Sequence, residues 1–308
     1  MTAAGPPGAP EPSAATVIHA YLHEQITAIG ALDPRVRRDE PDAVHQMRVA
    51  VRRLRSALAT FRPLLERDDV APVRRQLVWL ADALGHARDA EVMRARLRAL
   101  LSGLDPAVLE RIGTAPVRAL ETALDERHRA ARADLLAALG SRHYLRVQDA
   151  LRGLDASPPW RPAAAGPARA VLPALVRREW LRLVRRVDAA GRATTQEDRD
   201  LRLHAARRAA KRVRYACDAV RTVIGPDAAR LAAGAEELQD VLGEHQDSVV
   251  SRDLLEDLGG RPGAGEGDGG RLLAGLLAAE QARAAAAWDA FAPAWAAVRR
   301  PEVLRWLE

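Results

Sequence analysis

Apolar positions recur at three- and four-residue intervals along most of the chain, and no convincing run alternates with period two. That pattern predicts helices throughout and an all-α fold. Ala14 to Ile29 reads as a first helix, followed by a loop carrying Asp33-Pro34 and Glu40-Pro41. Pro41, with Asp39, Glu40 and Asp42 around it, suits the start of a second helix, because acids there offset the exposed amides. This helix runs to about Arg62, where Pro63 bends or ends it. Residues 72–101, 107–139 and 142–154 make three more, with Asp105-Pro106 as a break. A Pro-, Ala- and Gly-rich stretch over 155–167 reads as a linker. Residues 168–190 open a second set. Thr194 with Glu197 is a capping box ahead of the next helix, and Gly225-Pro226 closes that helix. Residues 227–258, a Gly-rich loop over 259–270, and helices over 271–298 and 301–307 complete the chain.

The second helix separates its two kinds of residue. At about 100° per residue, His45, Arg48, Arg52 and Arg55 fall within roughly 80° of one another. Met47, Ala50, Val51, Leu54, Leu58 and Phe61 occupy the neighbouring arc. One edge is cationic and the next apolar, as expected of a helix that lies on a core and presents charge beside it.

The pattern occurs twice. His45, Arg48, Arg53, Arg55 and Arg62 recur 159 residues later as His204, Arg207, Arg212, Arg214 and Arg221, and Arg52 meets Lys211. Asp82, Leu84, Gly85, Asp89 and Arg94 recur as Asp240, Leu242, Gly243, Asp247 and Arg252 at an offset of 158. Charged identities at fixed spacing argue for tandem duplication. The expected organisation is a tail over 1–13, one helical bundle over 14–154, the linker, and a second bundle over 168–308. Two copies of a basic row beside a core-facing row suit an anionic ligand. The candidate site is His45, Arg48, Arg52, Arg55, His204, Arg207, Lys211 and Arg214.

Composition adds limits. The 308 residues carry a net charge of +6, which favours polyanionic partners and says nothing about fold. Of 47 basic side chains only Lys211 is a lysine, so an arginine excess alone is weak evidence for phosphate binding. Cys217, the single cysteine, excludes an intramolecular disulfide and fits a reducing compartment. No apolar run reaches the roughly 18 residues of a membrane span. The first residues lack the basic and apolar regions of a signal peptide. A cytoplasmic protein without membrane contact is expected.

The strings His45-x-x-Arg48-Val49-x-x-Arg52-Arg53-Leu54-Arg55 and His204-x-x-Arg207-x-x-x-Lys211-Arg212-x-Arg214-Tyr215 resemble the CHAD domain, the conserved histidine α-helical domain. Leu84-Gly85-x-x-Arg88-Asp89 and Leu242-Gly243-x-x-Gln246-Asp247 resemble its second recurring feature. The likeness covers about residues 15–307. It implies two pseudo-two-fold related bundles that enclose a central basic cavity and together form one domain. It also implies binding of inorganic polyphosphate and association with polyphosphate granules or their proteins. Many members sit beside a triphosphate-tunnel domain, whose Glu-x-Glu-x-Lys strand this sequence lacks, so a stand-alone, non-catalytic binder is implied, with no cofactor.

The residue chemistry agrees. Polyphosphate carries charge on every unit and offers no base to stack on. Arginine gives a planar fork for bidentate contact. His45 and His204 become better anion ligands as pH falls past about 6.5. Asp82, Asp89, Asp240 and Asp247 are expected to pair with and aim arginines rather than hold a metal. Gly85 and Gly243 read as close helix packing, and Cys217 as core. His19 and His23 have the spacing of a zinc pair but lack a His-Glu-x-x-His motif. Two other classes compete. A phosphohydrolase would need metal-holding carboxylates, and no acidic cluster or P-loop is visible. A nucleic-acid binder would be favoured by the charge but not by aromatics at 4%.

Overall fold

The computed structural model describes residues 11–260 and 267–308. Most of the expected tail, and residues 261–266 of the Gly-rich loop, lie outside the described residues. Among the described residues the structure is helical, without strands; the extended pairings are isolated bridges, Ser13 to Pro167 and Leu65 to Trp160.

The first half comprises α1 (Ala14–Arg37), α2 (Ala43–Thr60), α3 (Arg67–Ser102), α4 (Pro106–Ile112), α5 (Thr114–Leu139) and α6 (Arg142–Ala156). The second comprises α7 (Ala168–Gly191), α8 (Gln196–Ile224), α9 (Pro226–Gly259), α10 (Gly267–Val298) and α11 (Pro301–Leu304). In each half, consecutive long helices pack on one another, and α2 also packs on α8. The two motif helices therefore meet at the middle of the molecule.

The apolar arc of α2 is buried as the period requires, with Met47, Val51, Leu54, Leu58 and Phe61 inaccessible. Burying each such side chain contributes about 1.5–3 kcal/mol. On α8 the equivalent arc is Ala206, Ala210, Val213, Cys217 and Val220, so Cys217 is core, and burial raises its thiol well above the ordinary value. One apolar core runs from Ala14 to Leu307 through both halves. A second joins Leu97, Leu101 and Leu124 to Leu255 and Leu276, again from both halves.

Several boundaries differ from expectation, each for a local reason. Helix α1 runs through Pro34 to Arg37, because Leu32 and Val36 continue its buried stripe. Helix α2 begins at Ala43, two residues after Pro41, behind Asp42 at φ 62°. The expected helix over 107–139 is broken at Gly113, where φ is 81°, a value glycine tolerates. The α8 cap is Thr195 accepting from the amide of Asp198, in place of Thr194 with Glu197. Asp155 and Ala156 belong to α6. The rest of the linker is held in place: the Glu66 amide donates to the Pro159 carbonyl, the Arg161 amide donates to the Leu64 carbonyl, and Ala164 is buried. Gly225, at φ 76°, closes α8, and Pro226 opens α9 as expected.

Candidate functional site: two cavities sharing a basic wall

Seven of the eight candidate residues converge. His45, Arg48 and Arg52 of α2 and His204, Arg207, Lys211 and Arg214 of α8 line a single cavity of 580 Å³. Helix geometry puts each row on the edge of its helix next to the buried arc, and packing α2 on α8 brings the rows together. Arg55 does not join them. It lies one turn beyond Arg52 along α2 and opens into a neighbouring cavity of 930 Å³. Its repeat partner Arg214 stays in the first cavity and pairs with Glu236 at 2.7 Å. Arg52, Lys211 and Tyr215 line both cavities and form the wall between them.

Asp89 and Asp247 hold the motif arginines. Arg48 Nη2 lies 3.2 Å from Asp89 Oδ1, and Arg207 Nη2 lies 3.9 Å from Asp247 Oδ1. Asp82 and Asp240 form no ion pair among the described residues, so only half of that expectation holds. Gly243 has a more specific role than close packing. A Cβ on Gly243 would meet Arg207 Nη2 at 3.0 Å and Nε at 3.3 Å, and one on Gly85 would reach Arg48 Nη2 at 4.0 Å. Gly243 clears the seat of Arg207, whereas the space beside Gly85 would admit a Cβ without moving Arg48. Arg207 Nε is buried in its seat without a hydrogen-bond partner among the described residues.

Burial, then Arg88, with smaller contributions from Arg52 and Arg48 and against the pull of Asp42, holds the His45 imidazole below its ordinary value. Burial also lowers His204, with Arg208, Arg207 and Lys211 adding to it against a hydrogen bond to Gln246. His204 Nδ1 donates to Gln246 Oε1 at 2.7 Å, so the neutral ring presents a lone pair at Nε2 and must gain a proton to donate there. Burial, then Arg52, Arg207 and Arg48, pushes the Lys211 ammonium down to about 6. Arg52, its partner in the repeat, donates to the Tyr215 hydroxyl at 3.0 Å, and its guanidinium lies 5.9 Å from the ring centroid.

The CHAD domain profile matches residues 20–256. The chain belongs to the CHAD domain family. Its sequence is 35% identical over 249 residues to Rv2226, an uncharacterized protein of Mycobacterium tuberculosis H37Rv, and 34% identical over 249 residues to MT2285 of strain CDC 1551. Each match takes in 81% of this chain and 46% of the relative, so the chain spans about half the length of those proteins. A CHAD domain from the plant Ricinus communis superposes with a TM-score of 0.73 at 26% identity, covering 94% of this chain and 93% of that one. PptA from Streptomyces chartreusis shares the fold with a TM-score of 0.76 at 24% identity, over 92% of this chain and all of that one.

In this CHAD domain, sequence reasoning missed the second cavity. Arg74 and Arg75 of α3 and Arg182 and Arg186 of α7 line it. A signal existed: Arg178, Arg182 and Arg186 make a row at four-residue spacing. Tyr215 was visible only as the residue after Arg214. His19 and His23 both bind Asp155, through its carbonyl and carboxylate at 2.9 Å each, and so tie α1 to the end of α6. Among the described residues no helix is long and apolar enough to cross a membrane.

Proposed function

We propose that this CHAD domain binds inorganic polyphosphate without cleaving it, through His45, Arg48, Arg52, His204, Arg207, Lys211 and Arg214, with Arg55 reached by longer chains. The observation that carries the reading is the shared wall. Arg52 and Lys211, the same position in the two repeats, stand together, and neither has a carboxylate in ion-pair range among the described residues. In the free protein Lys211 sheds its proton to relieve this crowding, and a polyanion between the rows would let both side chains carry charge. The resemblance that names polyphosphate comes from both motif copies. The carboxylates nearest the arginines, Asp89, Asp247 and Glu236, are engaged by Arg48, Arg207 and Arg214, which suits holding more than hydrolysis. A cytoplasmic protein drawn to polyphosphate granules, or linking other proteins to them, is the setting that fits.

The test is titration of wild type and a folded His45→Ala/Arg52→Ala/His204→Ala/Lys211→Ala variant with long-chain polyphosphate. Each lost charge-assisted contact is worth about 1.5 kcal/mol, so losing two of the four lowers affinity by about a hundredfold and losing all four lowers it further. Unchanged affinity removes the proposal. Phosphate release from the polymer in the presence of Mg²⁺ or Mn²⁺ would replace it by the hydrolytic reading.

The two glycines give a sharper check. Gly243→Ala pushes Arg207 aside and lowers polyphosphate affinity several-fold, while Gly85→Ala has room and leaves it near wild type. In thermal melts Gly85→Ala gains up to about 1 kcal/mol from better helix propensity. Equal binding by both variants would contradict the assigned role of Gly243.

A further inference from the structure

The 930 Å³ cavity is lined by nine cationic side chains and, among the described residues, no carboxylate. Arg55, Arg74, Arg75, Arg186 and Arg208 have no ion-pair partner among the described residues. The motif cavity, by contrast, contains Asp89, Glu236, Asp240 and Asp247. Beyond the large cavity a pocket of 270 Å³ shares Arg74, Arg182 and Arg212 with it and adds Arg62, Arg178 and the buried Glu179, which lies 3.5 Å from both Arg182 and Arg212. Cations thus continue from the motif histidines, past Arg52 and Lys211, to the surface between α3 and α7.

The duplicated fold provides an internal control, because the same place exists on the other side, between α9 and α1. At the offset of 158 Arg74 and Arg75 become Ala232 and Ala233, and Val78 becomes Glu236. Aligning α1 with α7 from their first residues, Ala14 and Ala168, also aligns their buried stripes. In that alignment Arg178, Arg182 and Arg186 become Glu24, Ala28 and Leu32. At the offset of 159 Ala59 becomes Asp218, which lies 3.7 Å from Arg53. This side keeps Arg55, Arg74, Arg75, Arg186 and Arg208 without an ion-pair partner among the described residues, with Glu179 balancing only Arg182 and Arg212, whereas the other side has Gln25 for Glu179, has lost the counterparts of Arg74, Arg75, Arg178, Arg182 and Arg186, and has gained Glu24, Asp218 and Glu236. Diffuse basicity from composition would not sort itself in this way.

We propose that the cavity between α3 and α7 is a second anion subsite, through which a long condensed-phosphate chain leaves the motif cavity on this side of the molecule only. The inference rests on the polyphosphate reading and adds a direction and a dependence on chain length. A short oligophosphate is held by the motif cavity alone. A long chain passes the Arg52–Lys211–Tyr215 wall and gains contacts from Arg55, Arg74, Arg186 and Arg208.

The experiment compares tripolyphosphate with long-chain polyphosphate, by calorimetric titration over a salt series, for four proteins. Arg74 and Arg186 are exposed, so Arg74→Ala/Arg186→Ala folds normally. It is expected to bind long chains about tenfold more weakly, with a salt slope shallower by about 1.4 at ~0.7 per lost phosphate contact. Its tripolyphosphate affinity stays within about twofold of wild type, since that ligand makes no contact there. An Arg111→Ala/Arg118→Ala control, at exposed positions lining neither cavity, removes the same charge and leaves both ligands unaffected. Arg48→Ala/Arg207→Ala, confined to the motif cavity, weakens both ligands. If Arg74→Ala/Arg186→Ala keeps wild-type affinity and salt slope for long chains, or behaves as the control does, the second subsite is wrong. If Arg48→Ala/Arg207→Ala leaves both ligands unchanged, the polyphosphate reading of the motif cavity fails instead.

Discussion

Binding of long-chain polyphosphate at neutral pH takes up protons from solution, and Lys211 is their main destination. In the free protein burial and the guanidinia of Arg52, Arg207 and Arg48 push Lys211 to about 6, against only Asp247 on the facing helix α9. At neutral pH the amine is therefore largely uncharged. A phosphate chain laid between the two basic rows reverses the sign of the local field, and the amine regains its proton. Calorimetry in buffers of different ionisation enthalpy reads this as an uptake approaching about one proton from this residue. Because that proton must be acquired, affinity weakens as pH rises above about 6, by up to about tenfold per pH unit. Lys211→Arg restores the residue of the first repeat, which stays charged throughout this range. It removes most of the uptake and flattens the pH dependence, leaving the smaller contribution of His45 and His204 at lower pH. The stability sign is the reverse of a salt bridge's. The unfolded chain holds a proton that the folded chain releases between about 6 and the ordinary 10.5, so stability increases with pH across that window. Lys211→Met ends this cost and raises Tm by a few degrees while weakening binding. A binding enthalpy independent of buffer in the wild type would refute the account.

Such a lysine shows how far the sequence could be read. The edge from His45 to Arg52, its copy from His204 to Lys211, and the buried arc between them follow from helix period and a constant offset. What did not follow was anything fixed by what a neighbouring helix sets against each row. Arg55 and Arg214 occupy identical positions in the repeat, yet Arg55 opens into the outer cavity beside Val78, while Arg214 pairs with Glu236, the residue that replaces Val78 on α9. Periodicity on one helix carries no information about the residue that faces it from the next. Gly243 was legible as a small residue, but the arginine it accommodates belongs to the preceding helix. Pro34 and Gly113 show the limits of local rules. A buried stripe carried α1 through the proline, and a single glycine split a helix whose apolar period ran on unchanged.

Glu280→Ala is expected to destabilise the fold by about 3–5 kcal/mol and lower Tm by about 10 °C. Glu280 of α10 is fully buried and accepts from Arg96 of α3, whose Nε lies 2.7 Å from Oε1. The same guanidinium donates to Glu244 and to the Ser248 hydroxyl, both on α9, at 2.8 Å each. Arg96 comes from the first half and its partners from the second, beside the core that joins them. Burial alone would push the Glu280 carboxyl up, but the hydrogen bonds from Arg96 prevail and hold it below its ordinary value. A carboxylate lowered in the fold stabilises above its unfolded value and loses that contribution as pH falls through the folded one, so this lock opens in acid. Removing Glu280 leaves a guanidinium that is 8% exposed with only the half-exposed Glu244 to balance it. The cost is that of an uncompensated buried charge, not of the pair itself. The paired change Arg96→Met/Glu280→Leu removes both charges and fills the space. It should recover most of the loss or exceed wild-type stability. Thermal melts of the single and double variants decide it. A single variant within about 1 kcal/mol of wild type would mean that water reaches Arg96, and that this cluster does not lock the two halves together.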